Sequence, residues 1–214
     1  MRSTLAPDKT FDVAVVGAGV FGAWTAYQLR RAGAEVVLVD AYGPGNSRAS
    51  SGGESRMIRM GYGPDQIYTL MAQRSLALWQ ELFARREQPK NLSLDDRANS
   101  PRLFQPTGIL WLARENDPYC EATLDTLERS NVRFERLDRA ELGRRYPQLE
   151  LGAVTWGILE PDSGVLMARQ AVKVVVAEAR ASGVRYMEEA VLPATASSKH
   201  VRQCQELIVN RQSA

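Results

Sequence analysis

Residues 17–22 read Gly-Ala-Gly-Val-Phe-Gly and lie between an apolar, β-branched run at 11–16 and a stretch of helical composition at 20–32. No other feature constrains the fold as much. Gly17 allows a tight turn from strand to helix, Gly19 lets the backbone approach a pyrophosphate, and Gly22 lets the helix pack close to the strand. The helix N-terminus then offers unpaired N–H groups and a partial positive charge to an anion. Gly33 is a stop signal, and a second apolar run at 35–40 ends in Asp40. Strand, helix and strand in this order make a βαβ unit with parallel strands. Asp40 follows Gly22 by 18 residues, where a carboxylate can accept hydrogen bonds from both ribose hydroxyls and disfavours a 2′-phosphate.

Residues 41–63 separate FAD from NAD. A simple NAD domain would proceed to its next helix here, whereas this stretch is dense in glycine, serine and arginine (Ser50, Ser51, Gly52, Gly53, Ser55, Arg56, Arg59). A second glycine–serine loop suits the larger cofactor, and FAD is the expectation. Further on, the pattern predicts a helix over 65–85 burying Ile67, Leu70, Met71, Leu78 and Leu82. Residues 86–102 read as a linker and 108–113 as a strand. A helix at 119–130 carries Cys120, Thr123, Leu124 and Leu127 on one side, and a short helix at 138–146 is closed by Pro147. A strand at 155–159 and a turn at 160–164 precede the clearest amphipathic helix, at 168–182. Its stripe is Ala171, Val172, Val175, Val176 and Ala179. A strand pair is expected near 184–187 and 190–192, and from residue 197 the pattern dissolves into a polar tail without a further strand.

Composition removes several classes of function. The formal net charge is +2 and no block of like charges occurs, which excludes a nucleic-acid arm. Two cysteines, Cys120 and Cys204, with one histidine, His200, cannot build a close-spaced zinc site, so no metal is expected. A Ser–His–Asp hydrolase would depend on His200 in the polar tail. Both cysteines read as free thiols of a reducing compartment. Neither a signal peptide nor a membrane span is evident, and a cytoplasmic location is the expectation.

Five segments carry a resemblance to a known family: DVAVVGAGVFG at 12–22, VVLVDAYGP at 36–44, SSGGESRMIRMGYG at 50–63, TGILWLA at 107–113 and EPDSGVL at 160–166. They resemble the monomeric sarcosine oxidase and N-methyltryptophan oxidase group, within the D-amino-acid-oxidase-like FAD superfamily. The resemblance implies that Gly17, Gly19, Val20 and Phe21 sit at the pyrophosphate. It implies that Asp40 and Ala41 flank the adenosine ribose, and that the backbone of Val191 contacts the adenine. Ser50, Ser51, Arg56 and Met57 match positions that approach the flavin. Arg59 matches an arginine that pairs with the substrate carboxylate, a task its planar fork suits. Arg56 and Arg59 are therefore the candidate catalytic residues. The sarcosine oxidase pattern has histidines where this chain has Ser51 and Gly52.

The expected fold is α/β: an FAD-type, Rossmann-like dinucleotide-binding domain from residues 1–90 and 168–214, interrupted by a partial α+β substrate domain at 91–167. The implied function is oxidation of the C–N bond of an amino acid or N-methyl amino acid to an imine, reducing flavin and then oxygen. Oxidase and dehydrogenase both stay open. Members of the group continue well beyond residue 214. The alternative is thus a catalytically incomplete FAD-binding fragment or pseudoenzyme, with a partner chain or self-association supplying the missing half. That alternative also expects residues 171–179 to lack part of their packing partner and to expose apolar surface. The expected ligand is a small amine or amino acid.

Overall fold

The computed structural model describes residues 10–86, 102–191 and 209–210. The remainder of the expected 86–102 linker, Leu192, His200 and Cys204 lie outside the described residues. The chain forms two compact units, Met1–Glu54 with Ala168–Ala214, and Ser55–Met167.

In the first unit, β1 (Val13–Val16) leads through the glycine turn into α1 (Val20–Arg31) and then β2 (Val36–Asp40). After the second unit the chain returns as α5 (Ala168–Ala181) and β9 (Arg185–Glu188). The sheet is parallel with order β1-β2-β9, Val13 opposite Val36 and Val37 opposite Arg185. β2 is central, and its four apolar residues are buried. Their alternation puts Val37 and Val39 on one face, where they cluster with Met187, Phe11 and Val191. α1 and α5 pack on each other, and α5 buries Ala171, Val172, Val175, Val176 and Ala179. The expectation that this stripe would be left exposed is therefore wrong: α1 covers it.

Two further expectations are corrected in this unit. β1 is an edge strand among the described residues, so its burial alternates and Ala14 and Val16 are exposed rather than buried. The strands near the C-terminus do not pair with each other. β9 joins β2, while β10 (Ala190–Val191) pairs antiparallel with β11 (Val209–Asn210), a strand the polar tail gave no sign of.

The second unit holds two antiparallel three-stranded sheets. One has the order β3-β8-β4, from β3 (Arg56–Ile58), β8 (Gly164–Leu166) and β4 (Phe104–Gln105). The other has the order β5-β7-β6, from β5 (Ile109–Ala113), β7 (Trp156–Glu160) and β6 (Glu135–Asp138). Among the described residues its helices are α2 (Gln66–Arg86), α3 (Pro118–Arg129) and α4 (Arg139–Arg145). Asp117 caps α3 through the Tyr119 and Cys120 amides, and Asp138 forms a capping box with Glu141 on α4. Met60, Leu76, Ala113, Cys120, Leu127, Trp156 and Ile158 form the core. The expected domain boundary after residue 90 differs from the division after Glu54, because Leu76 of α2 is part of this core. The buried stripe of α2 is the expected one only in part: Leu82 is buried as expected and Leu78 half-buried. Thr69, Leu76, Trp79 and Leu82 are buried, whereas Ile67, Leu70 and Met71 are exposed. Among the described residues no helix is long and apolar enough to cross a membrane.

Candidate functional site

The glycine turn is built as its sequence requires. Gly17 has a φ of +101°, which L side chains rarely adopt, and its N–H donates to Val39 O at 2.7 Å. A Cβ at Gly22 would lie 1.8 Å from Gly17 O, so the third glycine is what lets α1 approach the turn. Gly19 caps α1 in extended conformation with no side-chain cap, and the first turn of α1 carries no acid. A Cβ at Gly19 would meet only Ser51 Oγ, at 3.7 Å. Among the described residues the space beside Gly19 at the helix N-terminus is therefore open, and it is bordered by N–H groups suited to an anion. Ser51 is buried, and its Oγ accepts from Val20 N–H at 3.4 Å. Phe21 points away from the packed interior and is 87% exposed.

Asp40 ends β2 beside this turn. Its Oδ2 accepts from Ala18 N–H at 2.7 Å and its Oδ1 from Tyr42 N–H at 2.8 Å. Oδ1 also accepts from Asn46 Nδ2 at 3.5 Å, so Oδ2 is the oxygen that keeps a lone-pair direction for a hydroxyl. Ala41 and Ser50 are exposed and Val191 half-buried. The glycine–serine loop is held by two residues that sequence reasoning passed over. Asn46 Oδ1 accepts from the Arg48 and Ala49 amides, while its Nδ2 donates to Gly43 O. Arg169, in the first turn of α5, donates from Nε and Nη2 to Gly52 O and pairs with Glu54 at 2.8 Å. A Cβ at Gly52 would lie 2.2 Å from Asn46 O, so this loop has no room for a side chain there.

The remaining candidates belong to the second unit. Arg56 and Met57 are exposed on β3, Arg56 donating to Ser55 O at 2.8 Å. Arg59 is half-buried. Its guanidinium carbon lies 4.5 Å from the ring centre of Tyr62 and 4.8 Å from that of Trp111, and Nη1 donates to Gly61 O. Such ring contacts satisfy the cation's flat faces and leave its edge for planar acceptors. Among the described residues Arg59 has no ion pair. The segment from Met60 to Gly63 is pinned by side chains: Thr69 donates to Met60 O, and Thr123 Oγ1 accepts from Gly63 N–H. Glu160 accepts from the amides of Met60 and Gly61. No carboxylate–donor pattern in the sequence had singled out Glu160.

A parallel sheet, a glycine turn and an open helix N-terminus beside an acid define a dinucleotide-binding α/β protein. The family model described as FAD dependent oxidoreductase (DAO) matches residues 12–209, and the chain belongs to that family, whose cofactor is FAD. The chain is 30% identical over 177 residues to a monomeric sarcosine oxidase from Bacillus sp. (strain B-0618), across 81% of this chain and 42% of that protein. It is 28% identical over 173 residues to an N-methyl-L-tryptophan oxidase from Citrobacter koseri, across 81% of this chain and 43% of the relative. The solved structure of NikD, an unusual amino acid oxidase essential for nikkomycin biosynthesis, matches with a TM-score of 0.64 at 25% identity, covering 86% of this chain and 46% of NikD. The chain thus spans less than half the length of the relatives it matches.

Proposed function

We propose that this chain carries the FAD-binding part of an oxidoreductase acting on the C–N bond of an amino acid or N-methyl amino acid. The observation that carries the proposal is the open, acid-free N-terminus of α1, which Gly19 leaves clear and Asp40 borders. Gly17, Gly19, Val20 and Phe21 would hold the pyrophosphate through backbone N–H groups, Asp40 and Ala41 the ribose, and Val191 the adenine. Ser50, Ser51, Arg56 and Met57 are the proposed neighbours of the flavin. When bound, FAD would supply the two-electron acceptor for this oxidation, with oxygen as the final acceptor. Arg59 would hold the substrate carboxylate edge-on by paired hydrogen bonds, and so orient the C–N bond. The imine product is then hydrolysed by water.

A single measurement tests the cofactor reading: the absorbance spectrum of the purified 214-residue chain after addition of FAD and removal of the excess. Retained flavin bands support it, and a colourless protein that takes up NAD instead overturns it. A second reading, catalytic incompleteness of the isolated chain, is favoured by the exposure of Phe21, Ile67, Leu70 and Met71. A partner segment, or a second copy, would cover them.

A further inference from the structure

Glu160 closes β7 and is 1% exposed, yet both oxygens of its carboxylate are occupied. Oε2 accepts from Met60 N–H at 2.6 Å and from Ser163 Oγ at 2.6 Å. Oε1 accepts from Gly61 N–H at 2.9 Å and from Trp111 Nε1 at 2.7 Å. Two amide N–H groups and an indole N–H can only donate, so each needs an acceptor, and the Glu160 carboxyl oxygens serve all three. A polar group this deep in the fold is tolerated because four hydrogen bonds replace its water.

The donors are not scattered. Met60 and Gly61 follow Arg59 in the chain, and Trp111 supplies one of the two rings that Arg59 lies over. Arg59 itself donates to Gly61 O. One carboxylate therefore ties the backbone behind the arginine to the ring beside it. The packing leaves no slack: a Cβ at Gly61 would lie 2.9 Å from Trp111 Cζ2 and 3.0 Å from Glu160 Oε1.

We propose that Glu160 is a positioning residue for Arg59, and that the Glu160 carboxyl group holds the guanidinium over Tyr62 and Trp111 and thereby sets its affinity for a carboxylate ligand. The proposal rests on the reading of Arg59 as the carboxylate-binding residue. Glutamine is almost the same size but cannot replace it. In either orientation its NH₂ faces a backbone N–H, Met60 on one side or Gly61 on the other. The Ser163 hydroxyl can turn to accept, but a peptide amide cannot.

The test uses the full 214-residue chain, labelled with nitrogen-15. The Arg59 Nε–H signal, identified by its loss in Arg59→Lys, is expected at a ring-shifted position because two aromatic faces flank it. In Glu160→Gln that ring shift is expected to disappear, together with a move of the Trp111 indole signal, while Trp156 stays in place. N-methylglycine, titrated into both proteins, is expected to bind about tenfold or more weakly to Glu160→Gln, the loss of one well-placed charge-assisted contact. An unmoved Arg59 signal, or an unchanged affinity, overturns the positioning role. Should Glu160→Gln fail to fold, Ser163→Ala removes one donor only, and a partial loss of the ring shift decides in the same way. The underlying reading fails separately: Arg59→Ala that binds N-methylglycine as well as the wild type removes Arg59 as the carboxylate site.

Discussion

Asp40 Oδ2 accepts a 2.7 Å hydrogen bond from the N–H of Ala18, which ties the end of β2 to the middle of the glycine turn. The acid at this position thus shapes the turn as well as bordering the ribose site we propose. Asp40→Ala leaves the buried Ala18 amide unpaired, a cost of about 1–3 kcal/mol. It is expected both to lower the melting temperature and to weaken FAD binding by about tenfold or more. Flavin fluorescence quenching and thermal unfolding on the same samples check this, and an unchanged Kd would remove Asp40 from the cofactor site.

Two glycines of the turn should separate folding from binding. A Cβ at Gly19 meets nothing closer than 3.7 Å, whereas a Cβ at Gly22 would sit 1.8 Å from Gly17 O. Gly19→Val is therefore expected to keep its stability within about 1 kcal/mol of wild type, and to lose FAD. Gly22→Ala is expected to destabilise the fold by about 1–3 kcal/mol or more, because backbone must move. If Gly19→Val bound FAD normally, the pyrophosphate would not lie where we place it.

How far the sequence reveals this molecule depends on what each residue needs from distant parts of the chain. α5 was legible because one clean apolar stripe can face only one way, and Val172, Val175 and Val176 are all buried. α2 was misread because its apolar residues surround more than one face. Hydropathy marks Ile67 and Met71 as core candidates, but packing buries Thr69, whose hydroxyl donates to Met60 O. β6 escaped notice because its four residues, Glu135–Asp138, are mostly charged and join the sheet through Leu137 alone as a buried side chain. The glycine turn is local and was readable; Glu160 was not, since three of its four donors, Met60, Gly61 and Trp111, lie far away in sequence.

Arg59 should discriminate substrates by charge. In a catalytically complete form, Arg59→Ala is expected to raise KM strongly for amino acids and little for uncharged amines. A lost charge-assisted pair corresponds to about 1.5–3 kcal/mol, or roughly ten- to a hundredfold. Steady-state kinetics on both substrate classes measure it. An equal effect on the two would mean that Arg59 supports the fold and not the carboxylate.

Cys120 should behave as a core residue. Burial, with Asp117 and Glu121 nearby, pushes its thiol from an ordinary 9.0 up to about 11. The neutral thiol is thus favoured by folding. Its contribution to stability is complete below about pH 9 and is lost as pH rises through about 11, because the unfolded chain releases the proton first. In a Cys204→Ser background, iodoacetamide at pH 8 is expected to label the folded chain far more slowly than the denatured one. Equal rates would show that the site opens readily.

The isolated 214-residue chain should not oxidise amines at a useful rate even with FAD added. An enzyme gains much of its rate by holding the reacting bond at a fixed angle and distance, an effect that contributes roughly 7–11 kcal/mol. Arg59 offers one anchoring point, and a ligand held by its carboxylate alone keeps its remaining rotations. The neighbouring surface of α2 exposes Ile67, at 61%, with Leu70 and Met71, which is apolar area without a covering element among the described residues. The same surface should drive association, so the chain is expected to elute from size exclusion larger than its 23.8 kDa. A peroxide-coupled assay with N-methylglycine and primary amino acids checks the rate. Turnover of about 1 s⁻¹ or faster, in the range of ordinary enzymes, would show that the groups in this chain suffice to orient the substrate, and the argument from orientation would fall.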